Sequence, residues 1–193
     1  GPQTVVTTTD ITAPTWPPTS SLWASSVAEH SVQLRWTAAT DDVGVDAYKV
    51  YQDGVEIALV SGWSSGYYVI GLDPGTQYTF KVEAGDAAGN WSTDGPSLTV
   101  TTADYEAPYW PTGSTISVAG STATTVTITW TAAQDEVGVT GYGVYFDGVL
   151  FDTTDAGTLS YLITGLVPET TYTVSVEAFD AAGKWSTGGP STA

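Results

Sequence analysis

The side chains that could do chemistry in this chain are overwhelmingly carboxylates. There are 21 acidic residues against 4 lysines and arginines, with one histidine and no cysteine. Nucleophilic catalysis needs a base beside a serine or threonine. The single histidine, His30, stands where the second half of the chain has Thr124, which cannot act as a base. Thiol chemistry and a disulfide framework fall with the absence of cysteine. Two carboxyl groups hydrolyse glycosides when they flank the bond across a cleft, but Asp41 and Asp42 are consecutive residues. What remains is oxygen ligation of a hard cation such as calcium, which takes carboxylates, main-chain carbonyls and water. The competing reading is local: an aspartate ahead of a glycine-bearing loop caps backbone amides and shapes the turn.

The formal charge of −17 sets the range of partners. A field of that sign repels phosphate backbones and anionic lipid, so no nucleic-acid or membrane partner is expected. No apolar run approaches the length needed to cross a bilayer.

The elements that must position these carboxylates come twice. Asp10-Ile-Thr-Ala-Pro-Thr-Trp-Pro17 returns as Asp104-Tyr-Glu-Ala-Pro-Tyr-Trp-Pro111, and Trp36 returns as Trp130, Tyr48 as Tyr142 and Trp91 as Trp185, each 94 residues on. A gapless repeat of this length means two copies of one domain rather than a solenoid of small units. Within each copy the hydrophobic period is two. Val32, Leu34 and Trp36 are expected to point inward between outward Gln33 and Arg35, and Val126, Ile128 and Trp130 repeat the pattern. Asp53-Gly54 and Asp147-Gly148 are two-residue hairpin turns. About seven short strands per copy, with no helix-period segment, make two all-β antiparallel sandwiches.

These residues also carry a resemblance. Trp36, the Tyr48/Tyr51 pair, Gly71-Leu72-Asp-Pro74 and Tyr78-Thr-Phe-Lys-Val-Glu-Ala84 resemble a fibronectin type III domain, an immunoglobulin-like sandwich. Trp130, Tyr142/Tyr145, Gly165-Leu166-Val-Pro168 and Tyr172-Thr-Val-Ser-Val-Glu-Ala178 repeat it. Tyr78 and Tyr172 match the family's tyrosine corner. The lines Asp41-Asp-Val-Gly-Val45 and Asp86-Ala-Ala-Gly-Asn-Trp-Ser92 are similar to the bacterial branch. Such domains stand between modules of secreted polysaccharide-degrading enzymes, a cellulosomal cellobiohydrolase being the parent first suggested. The resemblance implies a non-catalytic, extracellular accessory module whose partners are the other modules of its own chain, and any glycosidase lies elsewhere in the parent. The expected organisation is the end of a preceding module with its linker (1–10), a first domain (11–103), a linker (104–111) and a second domain (112–193) with a shortened last strand. Residues 4–9 repeat the pattern of 98–103, the last strand-end of the first copy, so the parent is expected to continue in both directions.

The resemblance also implies where the aspartates meet. The loop after the Trp36 strand, the loop after the 76–84 strand and the leading segment lie at one end of such a domain. Asp10, Asp41 and Asp86 then converge, as do Asp104, Asp135 and Asp180, into an oxygen cage for a structural calcium ion. Asp42 and Glu136 rank behind them. The cation clamps the leading segment onto its domain.

Among the tryptophans, Trp36 and Trp130 belong to the core. Trp16, Trp110, Trp91 and Trp185 are expected to form a packed cover over the joints. Trp23 and Trp63 occur only in the first copy, opposite Ser117 and Gly157. If exposed, they are a stacking platform for a polysaccharide surface. Asn90-Trp-Ser92 reads as a glycosylation acceptor only in a eukaryotic secretory pathway. The one arginine, Arg35, precedes Trp36 rather than a Gly-Asp pair, so adhesion through an Arg-Gly-Asp loop is unsupported.

Overall fold

The computed structural model describes residues 3–5 and 8–193. Val6 and Thr7, in the middle of the expected strand-end at 4–9, lie outside the described residues. The chain divides into two compact units, Gly1–Ala103 and Asp104–Ala193. The first contains β1 (Leu22–Val27), β2 (Ser31–Trp36), β3 (Val45–Gln52), β4 (Val55–Ser61), β5 (Gly66–Ile70), β6 (Gln77–Asp86) and β7 (Ser97–Thr101). The second contains β8 (Ile116–Ser121), β9 (Thr125–Trp130), β10 (Val139–Phe146), β11 (Val149–Asp155), β12 (Ser160–Thr164), β13 (Val174–Asp180) and β14 (Ser191–Thr192). Each unit is a three-stranded sheet (β1-β2-β5 or β8-β9-β12) facing a four-stranded one (β4-β3-β6-β7 or β11-β10-β13-β14). Every pairing is antiparallel.

The inward alternation of β2 meets that of β3 and β6. Val32, Leu34 and Trp36 are buried against Tyr48, Val50, Phe80 and Val82. Each such side chain taken from water contributes about 1.5–3 kcal/mol. Tyr48 is the centre of the first core, with the rings of Trp16 and Trp36 at 5.8 and 5.6 Å. Tyr142 has the same place between Trp110 and Trp130, at 5.9 and 5.6 Å.

The turns behave as their residues require. Asp53 and Gly54 both have positive φ, 50° and 83°, the hairpin geometry that suits right-twisted strands. Asp53 Oδ1 accepts the Thr79 amide at 2.8 Å, and Asp147 Oδ1 accepts that of Thr173 at the same distance. Tyrosine corners close both units: Tyr78 Oη accepts the Asp73 amide at 2.9 Å and Tyr172 Oη the Val167 amide at 3.0 Å.

The segments ahead of each sandwich are docked on it. Thr15 bridges to Thr40 and Tyr109 to Gln134, so the expected linker 104–111 makes strand-like bonds to the second unit. The tryptophans of the last loops depart from the expected cover. Trp91 and Trp185 lie on the outer face of the four-stranded sheet of their own unit, bridged to Gly85 and Phe179. Trp91 lies so close over Gly85 that a Cβ there would sit 2.7 Å from its ring, and Lys49 Nζ stands 4.3 Å from the ring centroid. Trp185 packs on Phe179 at 4.7 Å and presses on Gly143.

Candidate metal centre

The leading segment, the β2–β3 loop and the end of β6 bring Asp10, Asp41 and Asp86 together. One carboxylate oxygen from each lies within 4.8 Å of the other two. Among the described residues this is the one acidic group with that spacing. Turn chemistry occupies part of each side chain. Asp10 Oδ1 accepts from the Thr12 amide at 3.0 Å, and Asp41 Oδ1 from the amides of Val43 and Gly44 at 3.0 and 2.8 Å. Asp10 Oδ2 is buried with no hydrogen-bond partner. The hydroxyl of Thr12 lies 2.9 Å from Asp10 Oδ1 and 2.8 Å from Asp42 Oδ1, with a single proton to serve both.

Asp86 is 5% exposed and receives the Asn90 amide at 2.8 Å and the Asn90 side chain at 2.7 Å. Burial works to raise its pKa, but the Asn90 side chain and the amides of Asn90, Gly89 and Ala88 outweigh it and hold the carboxyl below its ordinary range. Asp86 is therefore a carboxylate at neutral pH. Capping a turn with one oxygen and facing a shared centre with another are compatible uses of one aspartate.

In the second unit Asp135 Oδ1 caps Val137 and Gly138 at 3.0 and 2.7 Å, and Asp180 Oδ1 accepts the Lys184 amide at 2.8 Å. The Oδ2 atoms of Asp104, Asp135 and Asp180 are all buried without a hydrogen-bond partner. Burial and the charge of Asp180 raise the Asp104 pKa, Lys184 opposes them, and Asp135 adds a smaller push upward. Asp104 thus senses both of the other carboxylates, and Lys184 Nζ donates to the main-chain oxygen of Asp104.

Trp63 is 97% exposed and Trp23 44% exposed. Trp23 pairs with Arg35 across β1 and β2, on the outward face of the three-stranded sheet. His30 is only a loop contact, its Nδ1 2.9 Å from the Leu72 carbonyl oxygen.

A second constellation was not anticipated from the sequence. Ser92 Oγ accepts from Trp16 Nε1 at 3.0 Å and from the Ala84 amide at 2.9 Å, and donates to Glu83 Oε2 at 2.5 Å. Glu83 also accepts the Gly95 amide at 3.1 Å and pairs with Lys81. Trp110, Ser186, Ala178 and Glu177 repeat the arrangement. Its available signal was the recurrence of Glu and Ser at the same offset as the tryptophans.

The geometry is that of an immunoglobulin-like β-sandwich module with an acidic corner beside its leading segment. The chain belongs to the fibronectin type III family: the Fibronectin type III domain matches residues 16–102 and 106–193. Domains of this family are non-catalytic modules. Among curated relatives, Chitinase A1 of Niallia circulans is 41% identical over 182 residues, covering 92% of this chain and 25% of its own length. Exoglucanase B of Cellulomonas fimi is 39% identical over 194 residues, covering 97% of this chain and 17% of its own. Both relatives are multimodular polysaccharide-degrading enzymes. The chain therefore spans a quarter or less of these relatives. Chitinase ChiA74 from Bacillus thuringiensis, a solved structure, is 21% identical with a TM-score of 0.44, covering 88% of this chain and 30% of that one.

Proposed function

We propose that the two modules are a non-catalytic spacer in an extracellular bacterial polysaccharide-degrading enzyme, setting the distance and orientation between its other modules. The observation that carries this reading is the docking of both leading segments. Thr15 and Trp16, and again Tyr109 and Trp110, are bonded to the sandwich that follows them, which leaves little free chain between modules. Proline before and after each tryptophan keeps that short chain extended. Calcium deepens the reading. The buried, unpartnered Asp10 Oδ2 beside Asp41 and Asp86 fits a hard cation, which ties the leading segment to the far loops of the same unit. Small-angle scattering tests the spacer: a narrow range of interdomain distances is expected in calcium. Free flexing at the joint in both calcium and chelator would remove it.

A second reading has one observation in its favour, the exposure of Trp63 and Trp23. In it these rings stack on sugar rings of a polysaccharide surface, and only the first copy makes the contact. Affinity electrophoresis through gels containing cellulose or chitin is expected to retard the chain. Trp63→Ala and Trp23→Ala then abolish the retardation with little change in stability, since exposed side chains contribute little to it. No retardation in either gel would end this reading.

A further inference from the structure

The outer face of the β1-β2-β5 sheet is built differently from its counterpart in the second unit. Side chains alternate across a strand, so Trp23, Arg35 and Tyr68 stand on that face while Leu22, Leu34 and Val69 fill the core. One repeat later the same places hold Ser117, Thr129 and Leu162. Arg35 is the one arginine of a chain whose formal charge is −17. It is exposed, and among the described residues no carboxylate forms an ion pair with it. None of β1, β2 and β5 contains an acidic residue. The guanidinium donors are left to water or to a partner.

Two contacts hold the face ready. Gly66, opposite Arg35 on β5, has no side chain, and the arginine stem crosses it: a Cβ there would sit 2.7 Å from Arg35 Cδ. The guanidinium is thus carried toward β5 and leaves the ring of Trp23 uncovered. Tyr68 Oη and Ser31 Oγ share a hydrogen bond of 2.8 Å, which ties the Tyr68 ring down toward β2. Trp23 and Tyr68 lie on the two outer strands, displaced by two residues, so their Cα atoms are about 12 Å apart. Arg35 stands between them on the central strand.

Two separated rings on a flat face, with a strong donor between them, suit a ribbon-like polymer of sugar rings. The C–H faces of the sugars stack on the aromatic rings, and the guanidinium donates to hydroxyl or acetamido oxygens. An acidic polymer fits less well, because the net charge of the chain repels it. We propose that Trp23, Arg35 and Tyr68 form a binding face for a neutral polysaccharide chain, with Arg35 as the hydrogen-bonding residue that orients it. The inference rests on the carbohydrate reading of Trp23 and Trp63 and adds Arg35 and Tyr68 to it.

Affinity electrophoresis of the full chain tests it, in gels of hydroxyethyl cellulose, glycol chitin and carboxymethyl cellulose. The wild type is expected to be retarded in at least one of the two neutral gels, and equally at high salt. Arg35→Thr is expected to weaken that retention at least about ten-fold, the worth of a charge-assisted hydrogen bond. Tyr68→Leu is expected to weaken it about five-fold. Both substitutions copy the residue that the second unit carries, so the sandwich is expected to fold. No retardation of the wild type in any gel would overturn the inference together with the reading beneath it. Retention lost in Trp23→Ala and Trp63→Ala but unchanged in Arg35→Thr and Tyr68→Leu would overturn the inference and leave that reading intact. Retention in carboxymethyl cellulose alone would overturn the neutral partner. Should either variant not fold, the Arg35 Nε–H resonance of the wild type decides: it shifts on adding a soluble oligosaccharide of the retarding polymer, and a fixed resonance overturns the role of Arg35.

Discussion

Calcium at about 1 mM is expected to raise the melting temperature of the first unit by well over ten degrees relative to excess chelator. A ligand present at about a thousand times its dissociation constant stabilises the folded state by about 4 kcal/mol, which is the case for a site of roughly micromolar affinity. In a domain of about 100 residues each kcal/mol moves the midpoint by about 4–8 °C. The effect has two sources in the structure. With chelator, Asp10, Asp41 and Asp86 repel one another with oxygens inside 4.8 Å. With calcium, that repulsion is replaced by ligation to segments far apart in the chain. Scanning calorimetry measures the shift, and one substitution separates charge from turn chemistry. Asp41→Asn keeps an oxygen for the amides of Val43 and Gly44 while removing the carboxylate, so it should fold normally and lose most of the shift. Asp135→Asn should leave the shift of the first unit in place, because Asp135 belongs to the second unit. Superimposable melts of the wild type would return the aspartates of the first unit to turn chemistry alone.

Much of the fold was legible because each local signal agreed with the next. The alternation of Val32, Leu34 and Trp36 gave the buried face of β2, and Asp53-Gly54 and Asp147-Gly148 are the hairpins. The tyrosine corners follow from Tyr78 and Tyr172, whose hydroxyls meet a backbone amide only five residues upstream. The convergence of Asp10, Asp41 and Asp86 was not written in their spacing, which joins three distant segments. It was reached through the resemblance to a family whose loops lie at one end. The placement of Trp91 and Trp185 was missed because the deciding residues are glycines. Gly85 and Gly143 leave the hollows into which the rings settle, and a glycine inside a strand announces close approach without saying of what. Glu83 was hidden for a related reason. It occupies an outward position of β6, where a glutamate ordinarily meets water, and only the fold shows that the last loop covers it.

Ser92→Ala is expected to destabilise the first unit by about 3 kcal/mol, although it removes a single oxygen. Ser92 is 6% exposed and satisfies three groups at once: it accepts from Trp16 Nε1 and the Ala84 amide and donates to Glu83. Alanine there orphans two donors and withdraws one hydrogen bond from a buried carboxylate. Each buried polar group left unsatisfied costs about 1–3 kcal/mol. The lower part of that range applies, because Glu83 keeps Gly95 and Lys81 and because Trp16 is only partly buried. Urea unfolding measures the loss as a lower midpoint with an unchanged slope. Ser186→Ala should act on the second unit in the same way, since Ser186 serves Trp110, Ala178 and Glu177. A cycle with Trp16→Phe, which keeps the ring packed on Tyr48 but lacks the indole donor, isolates the bond to the leading segment. The two substitutions should fall short of additivity by about 1 kcal/mol, the worth of one such hydrogen bond. Strict additivity would mean that Trp16 is held by packing alone. The stiffness of the joint would then rest on ring contact and proline geometry rather than on a hydrogen-bonded clamp between the first and last segments of each module.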